Sequence, residues 1–198
     1  MVGTNAIQMA VGMGANVTVL DRSIARLREL DAQFGGRIAT VYSTKSALEQ
    51  HVANTDLVIG AVLIPGAAAP KLISRDMLKT MRKGSVLVDV AIDQGGCFET
   101  SKATTHEDPT YIVDDVVHYC VANMPGAVAN TSAHALNHAT LPFTLALANL
   151  GYREALQKDD NLLQGLNVHH GAITNKPVAD ALDLPYVEPT SVLASHAA

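Results

Sequence analysis

The stretch Asn16-Val17-Thr18-Val19-Leu20-Asp21-Arg22-Ser23-Ile24-Ala25-Arg26-Leu27-Arg28-Glu29-Leu30 decides the fold. Its first six residues form a short, β-branched, apolar run that ends on an acid, the pattern of a strand buried on both faces of a parallel sheet. A helix follows at once: Ser23 is placed as its N-cap, Ile24, Leu27 and Leu30 turn inward, and Arg26, Arg28 and Glu29 are left to solvent. The helix runs to Phe34 and ends at Gly35-Gly36. A strand that feeds directly into a helix is the repeating unit of α/β proteins.

The same alternation extends both ways. Upstream, Ala6, Ile7, Ala10 and Val11 recur at three- and four-residue steps and predict a helix over 4–13, stopped by Gly14. Downstream, strands are predicted over 37–42, 56–63, 85–92 and 116–122, with helices over 46–52 and 74–81 between them. Such alternation implies right-handed crossovers and an open, doubly wound parallel sheet with helices on both sides. Beyond residue 122 the pattern changes to a long helical stretch over 132–157 and a second helix over 176–182, with no strand of comparable quality. The expected organisation is a nucleotide-binding α/β domain over 1–127 and a helical C-terminal segment over 128–198.

Composition narrows the partners. The 198 residues are 48% hydrophobic and 17% charged, enough apolar material for a good-sized core and too little charge for a disordered chain. A net charge of −5 with scattered basic residues argues against nucleic acid and against an anionic membrane surface. Cys97 and Cys120 are the only cysteines, too few for a secreted disulfide scaffold. The start MVGTNAIQMAVGMG has no basic leader, and no stretch approaches the roughly 18 apolar residues of a membrane helix, so a cytoplasmic location is expected.

In a dinucleotide-binding fold the first strand runs into a G-x-G-x-x-G turn over the helix N-terminus. Here only the last glycine, Gly3, is present, while Asp21 stands 18 residues later at the end of the next strand, where a carboxylate takes hydrogen bonds from ribose hydroxyls. That carboxylate repels a 2′-phosphate, so NAD is the expected cofactor, with the neighbouring Arg22 leaving NADP open. The strand that normally precedes such a glycine is central to the sheet. The expected fold is therefore a Rossmann-type sheet lacking its first strand, and the chain reads as a fragment of a longer protein whose exposed backbone makes it unstable or partner-dependent.

Three further segments carry chemistry: Ile59-Gly60-Ala61-Val62-Leu63-Ile64-Pro65-Gly66, Val88-Asp89-Val90-Ala91-Ile92-Asp93-Gln94-Gly95-Gly96 and Tyr119-Cys120-Val121-Ala122-Asn123-Met124-Pro125-Gly126. Each is a strand followed by a polar or Gly/Pro loop, and open α/β sheets bind ligands at those strand ends. With Cys97-Phe98-Glu99-Thr100 and Thr104-Thr105-His106-Glu107-Asp108-Pro109, these segments resemble bacterial alanine dehydrogenase over essentially the whole chain. The related transhydrogenase subunit ranks second.

The resemblance implies an NAD-dependent enzyme that converts L-alanine to pyruvate and ammonia, assembled as a homo-oligomer, a hexamer in the family. It implies cofactor contacts at Val2 and Gly3, at Asp21 and Arg26 beside the adenosine ribose, at Ser43 near the adenine, and at Val62 and Leu63 along the groove. Val90, Ala91, Ile92 and Asp93, with Val121, Ala122, Asn123 and Met124, border the nicotinamide, and Lys102 is a further cofactor contact. Asp93 is the implied catalytic carboxylate and Asn123 a substrate-binding neighbour of the reacting centre. The family's lysine and histidine lie in an N-terminal domain that has no counterpart here.

Plainer readings stand beside these. Outside its motif Asp93 would be a strand-terminal carboxylate capping a turn, and Asn123-Met124-Pro125-Gly126 a turn that ends a strand. His134 and His138 share a helix face at zinc-ligand spacing, but no third ligand is placed, so no metal is expected. Cys97 and Cys120 read as small packing residues. The rival to an enzyme is a non-catalytic module that keeps affinity for NAD or for a full-length subunit.

Overall fold

The computed structural model describes residues 2–62, 64 and 68–194. The chain divides into two compact units, one running through Met124, the other from Pro125 onward with a short piece before Ala69.

The first unit contains α1 (Val2–Gly12), β1 (Val17–Asp21), α2 (Ile24–Phe34), β2 (Ile38–Tyr42), α3 (Lys45–Val52), β3 (Leu57–Gly60), α4 (Arg75–Leu78), β4 (Val86–Asp89), β5 (Thr110–Val113) and β6 (Val116–Tyr119). Strand and helix trade places as the sequence predicts. Both early helices are capped by their own sequence: the Ser23 hydroxyl accepts from the Arg26 N–H at 3.2 Å and the Thr44 hydroxyl from the Ala47 N–H at 3.1 Å.

The parallel sheet is in two pieces. β1 pairs with β2 in parallel, from Val17↔Ile38 to Asp21↔Tyr42. A separate sheet has the order β3-β4-β6-β5, with β3, β4 and β6 parallel and β5 antiparallel to β6. Among the described residues no ladder joins β1 to β3. Each piece has its own apolar cluster, Ile7, Leu30, Phe34 and Ile38 for the smaller, and a larger one that includes Ile73, Leu78, Leu87, Phe98 and Val116. Leu57 and Ile59, on one face of β3, remain 49% and 37% exposed.

Two expectations change here. Ile24, placed inward by its spacing, is 56% exposed, because the smaller core lies under the later turns of α2 and does not extend to its first residue. The strand β5 was not expected at all. It closes the sheet edge through a tight turn in which Asp114 and Asp115 both take positive φ, 49° and 64°, the backbone that suits a two-residue hairpin.

The second unit is mainly helical. α5 (Ala129–Lys158) is interrupted at Gly151, whose φ of 72° and ψ of 159° break the helical path. It is followed by α6 (Asp160–Leu163), a small antiparallel hairpin of β7 (Val168–His169) and β8 (Ala172–Ile173), α7 (Lys176–Leu182) and α8 (Pro189–Ala194). At two residues a strand, the hairpin is far slighter than the strands of the first unit. His170 and Gly171, both at positive φ, form its turn. The Arg153 guanidinium donates to the Leu193 carbonyl at 2.9 Å and ties α8 to α5. Apolar side chains on α5 stay open, among them Leu136 at 65% and Phe143 at 42% exposure. No helix among the described residues is long and apolar enough to cross a membrane.

Candidate active site

The parallel register brings three loops to one edge of the larger sheet. Gly60 lies opposite Asp89 and Val88 opposite Tyr119, so Val62, the Val90–Asp93 stretch and the Val121–Met124 stretch all leave from neighbouring C-terminal strand ends. The Val90 N–H donates to the Gly60 carbonyl at 2.9 Å. Gly60 has to be glycine, since an added Cβ would meet the Cys97 sulfur at 2.3 Å and the Phe98 ring at 2.8 Å.

Asp93 sits in a single turn of 3-10 helix, Ile92–Gln94, with its carboxylate exposed. Ala91 and Ile92 are each 7% exposed and Val121 is fully buried, so their side chains serve the packing beneath the loops. Asn123 is exposed and holds a left-handed backbone with φ of 59°. Its carbonyl accepts from the His106 ring at 2.9 Å, and a bridge between Thr104 and Val121 binds the two segments further. Lys102 donates its backbone N–H to the Tyr111 hydroxyl at 2.7 Å and keeps its side chain outside. Leu63 lies outside the described residues.

On the smaller piece, Asp21 ends β1 and Ser43 follows β2, and the Ser43 N–H donates to the Asp21 carbonyl at 3.0 Å. One Asp21 carboxylate oxygen accepts from the Ser23 N–H at 2.7 Å. Arg26 reaches across to the Thr4 hydroxyl and also pairs with Glu29 at 2.7 Å. Gly3 comes close to the end of β3, where its Cβ position is 3.7 Å from the Ala61 Cβ. These contacts connect the Asp21 end, through the start of α1 with Val2 and Gly3, to the larger sheet.

Around the loops the buried groups are held neutral or fully paired. Burial and the neighbouring Asp89 push the Cys97 thiol up to about 12, so it is a hydrogen-bond donor and no nucleophile. Burial pulls the fully buried His118 below the ordinary imidazole value; its ring stacks on Tyr111 at 4.9 Å and meets the Thr100 hydroxyl at 2.8 Å. Among the described residues no three His, Cys, Asp or Glu side chains gather where they could hold a metal.

The arrangement has a recognisable chemical capacity. An acid at the end of β1 suits a vicinal diol, and an exposed carboxylate and an exposed amide on the loops that follow two neighbouring strands suit the handling of a proton or a water. Sequence reading missed four contributors: Asp89, Ser101, Lys71 and His106. Asp89 and His106 lay inside quoted segments, but the partners of Asp89, at intervals of 2, 8 and 12 residues, follow no periodicity that a local pattern announces.

Comparison with known proteins places the chain. The family described as alanine dehydrogenase/PNT, C-terminal domain, matches residues 1–176. An alanine dehydrogenase of Halomonas elongata is 64% identical over 193 residues, 98% of this chain and 52% of the relative. Alanine dehydrogenase 2 of Staphylococcus aureus (strain USA300) is 58% identical over 93% of this chain and 50% of its own length. A solved L-alanine dehydrogenase superposes with a TM-score of 0.81 at 49% identity, over 92% of this chain and 50% of that one. The transhydrogenase from Sinorhizobium meliloti follows at a TM-score of 0.59 and 31% identity, over 66% of this chain and 38% of that one. The chain thus spans about half the length of the curated relatives it matches. With this match over most of its length, the chain belongs to the alanine dehydrogenase/PNT C-terminal domain family.

Proposed function

We propose that this chain is the nicotinamide-cofactor half of an alanine dehydrogenase, which interconverts L-alanine with pyruvate and ammonia using NAD. The observation that carries the reading is the 64% identity over 98% of the chain to a protein named alanine dehydrogenase. The fit of the residues to the cofactor supports it: the Asp21 carboxylate stands at the end of β1, where a ribose diol is bound in such folds, and its charge favours NAD over NADP.

When bound, NAD supplies the hydride acceptor. This chain's residues do the rest of its share. Asp21, with Arg26 and Ser43 beside it, fixes the adenosine end. The Val90–Asp93 and Val121–Met124 stretches border the nicotinamide end, and Val62 lines the cofactor groove. Asp93 orients and deprotonates the water that releases ammonia from the oxidised substrate, and Asn123 binds the substrate beside it. Residues 1–127 form the cofactor domain, and the open apolar face of α5 packs against the other half and against further subunits.

The test is alanine-dependent NADH formation, followed by absorbance, with the 198-residue chain alone and mixed with the N-terminal half of the Halomonas elongata enzyme. Turnover only in the mixture is the expected result. Cofactor binding without turnover in either arm refutes the enzyme and leaves a binding module.

A further inference from the structure

Asp89, the last residue of β4, is fully buried, and four donors converge on its carboxylate. One oxygen accepts from the Ala91 N–H at 3.0 Å and from the Cys97 thiol at 3.5 Å. The other accepts from the Cys97 N–H at 2.8 Å and from the Ser101 hydroxyl. A buried carboxylate is costly unless its oxygens are taken up. All of these donors belong to the turn that runs from Ala91 to Ser101, so the groups that solvate the carboxylate also set the shape of the turn.

The outside of the same turn is held by a second charge. The Lys71 ammonium donates to the Gly95 carbonyl at 2.5 Å and to the Gly96 carbonyl at 2.8 Å. The backbone around it runs alongside: Ala69 donates to the Gln94 carbonyl at 2.9 Å, Leu72 to Cys97 at 2.7 Å, and Glu99 returns a bond to Ile73 at 2.9 Å. Gly95 and Gly96 bend between the two charges with φ of 84° and 75°. Asp93 projects from the first part of this turn, two residues before Gly95.

We propose that Asp89 and Lys71 are positioning residues for Asp93, the one an inner and the other an outer jaw that fix the turn presenting its carboxylate. The inference rests on the reading of Asp93 as the carboxylate that orients and deprotonates water. A purely architectural carboxylate would change the stability of the sheet; a positioning one changes the turn and the rate while the sheet stays intact. Lys71 gives the cleaner handle, because its side chain is exposed and its removal leaves the core untouched.

The experiment compares Lys71→Met, Lys71→Arg and Asp89→Asn with the unaltered chain. Asparagine has one acceptor oxygen and an amide donor in place of the second, so one of the Ala91 and Cys97 backbone N–H groups loses its partner. Hydrogen exchange of the 198-residue chain is expected to quicken by about tenfold or more at Gln94, Gly95, Gly96 and Cys97 in Lys71→Met and Asp89→Asn, with Leu87 and Val117 unchanged. In the mixture with the N-terminal half, kcat is expected to fall by about 10- to 100-fold, with KM for alanine little changed and Lys71→Arg restoring most of the loss. Unchanged exchange in Lys71→Met overturns the proposal, and so does faster exchange with unchanged kcat. If Asp89→Asn does not fold, Lys71→Met decides. No turnover by the unaltered mixture refutes the dehydrogenase reading instead, and the exchange data then decide the clamp by themselves.

Discussion

Gly95 and Gly96 are adjacent, both bend the same turn with positive φ, and they should respond very differently to one methyl group. A Cβ on Gly95 meets nothing within 4 Å, whereas a Cβ on Gly96 would lie 2.6 Å from an Asp89 carboxylate oxygen and 2.6 Å from the Ser101 Cβ. Alanine at either position bears the left-handed backbone penalty of about 1–2 kcal/mol, partly offset by about 0.4–1 kcal/mol from a stiffer unfolded chain. At Gly96 the forced displacement of buried neighbours adds about 1–3 kcal/mol. Gly95→Ala is therefore expected to destabilise by about 1 kcal/mol and Gly96→Ala by about 2–4 kcal/mol. With a urea slope of about 2 kcal/mol per molar, the two midpoints differ by about 1 M. Cys97 and Cys120, fully buried, are the built-in probe: their reaction with a disulfide reagent across a urea series reports opening of the larger core. Equal midpoints for the two variants would refute the close packing of Asp89 and Ser101 against Gly96.

Three further outcomes are expected. The native chain resists thiol alkylation at mildly alkaline pH, because both cysteines are buried and the Cys97 thiol titrates only near about 12; rapid labelling of two thiols without denaturant would contradict the packing. His118 carries a pH signature: its folded value lies below the ordinary 6.5, so the unfolded chain binds the proton first as pH falls. Its stability contribution is complete above about 6.5 and is lost as pH drops through the lower folded value, and His118→Gln flattens that acid limb in thiol-exposure midpoints taken from neutral to mildly acidic pH. Asp93→Asn in the complemented enzyme lowers kcat by about 100-fold or more while NADH fluorescence titrations change little; full turnover by that variant would remove Asp93 from the chemistry.

Much of the architecture is readable from local pattern because its signals are local. The run Val17-Thr18-Val19-Leu20, the capping residue Ser23 and the inward Leu27 and Leu30 each act within a few positions, and the structure uses them as written, whereas Ile24 of the same stripe is exposed and the Thr44 cap was not read. The hairpin strand β5 escapes such reading because it is a four-residue edge element with Ile112 69% exposed, and its turn uses Asp114-Asp115 in place of a glycine. The β7–β8 hairpin is shorter still, and only the pair His170-Gly171 marks it. At the candidate site the strand-end loops were legible as motifs. The supports beneath them were not, since Asp89 is joined to Ser101 and Lys71 to Gly95 and Gly96 across intervals that no periodicity spans.

The division of the sheet between β1 and β3 has a consequence for cooperativity. The piece made of α1, β1, α2 and β2 rests on a small cluster that includes Ile7, Leu30, Phe34 and Ile38, while the other piece holds the larger core, and no strand ladder among the described residues makes them melt together. Blocks of this kind open separately, the smaller at a fraction of the free energy of the larger. Asp21, Arg26 and Ser43 ride on the weak block and Asp93 on the strong one. A dinucleotide gripping both would act as a weld, spending part of its intrinsic affinity on ordering the weak block and raising the protection of that block far more than that of its neighbour.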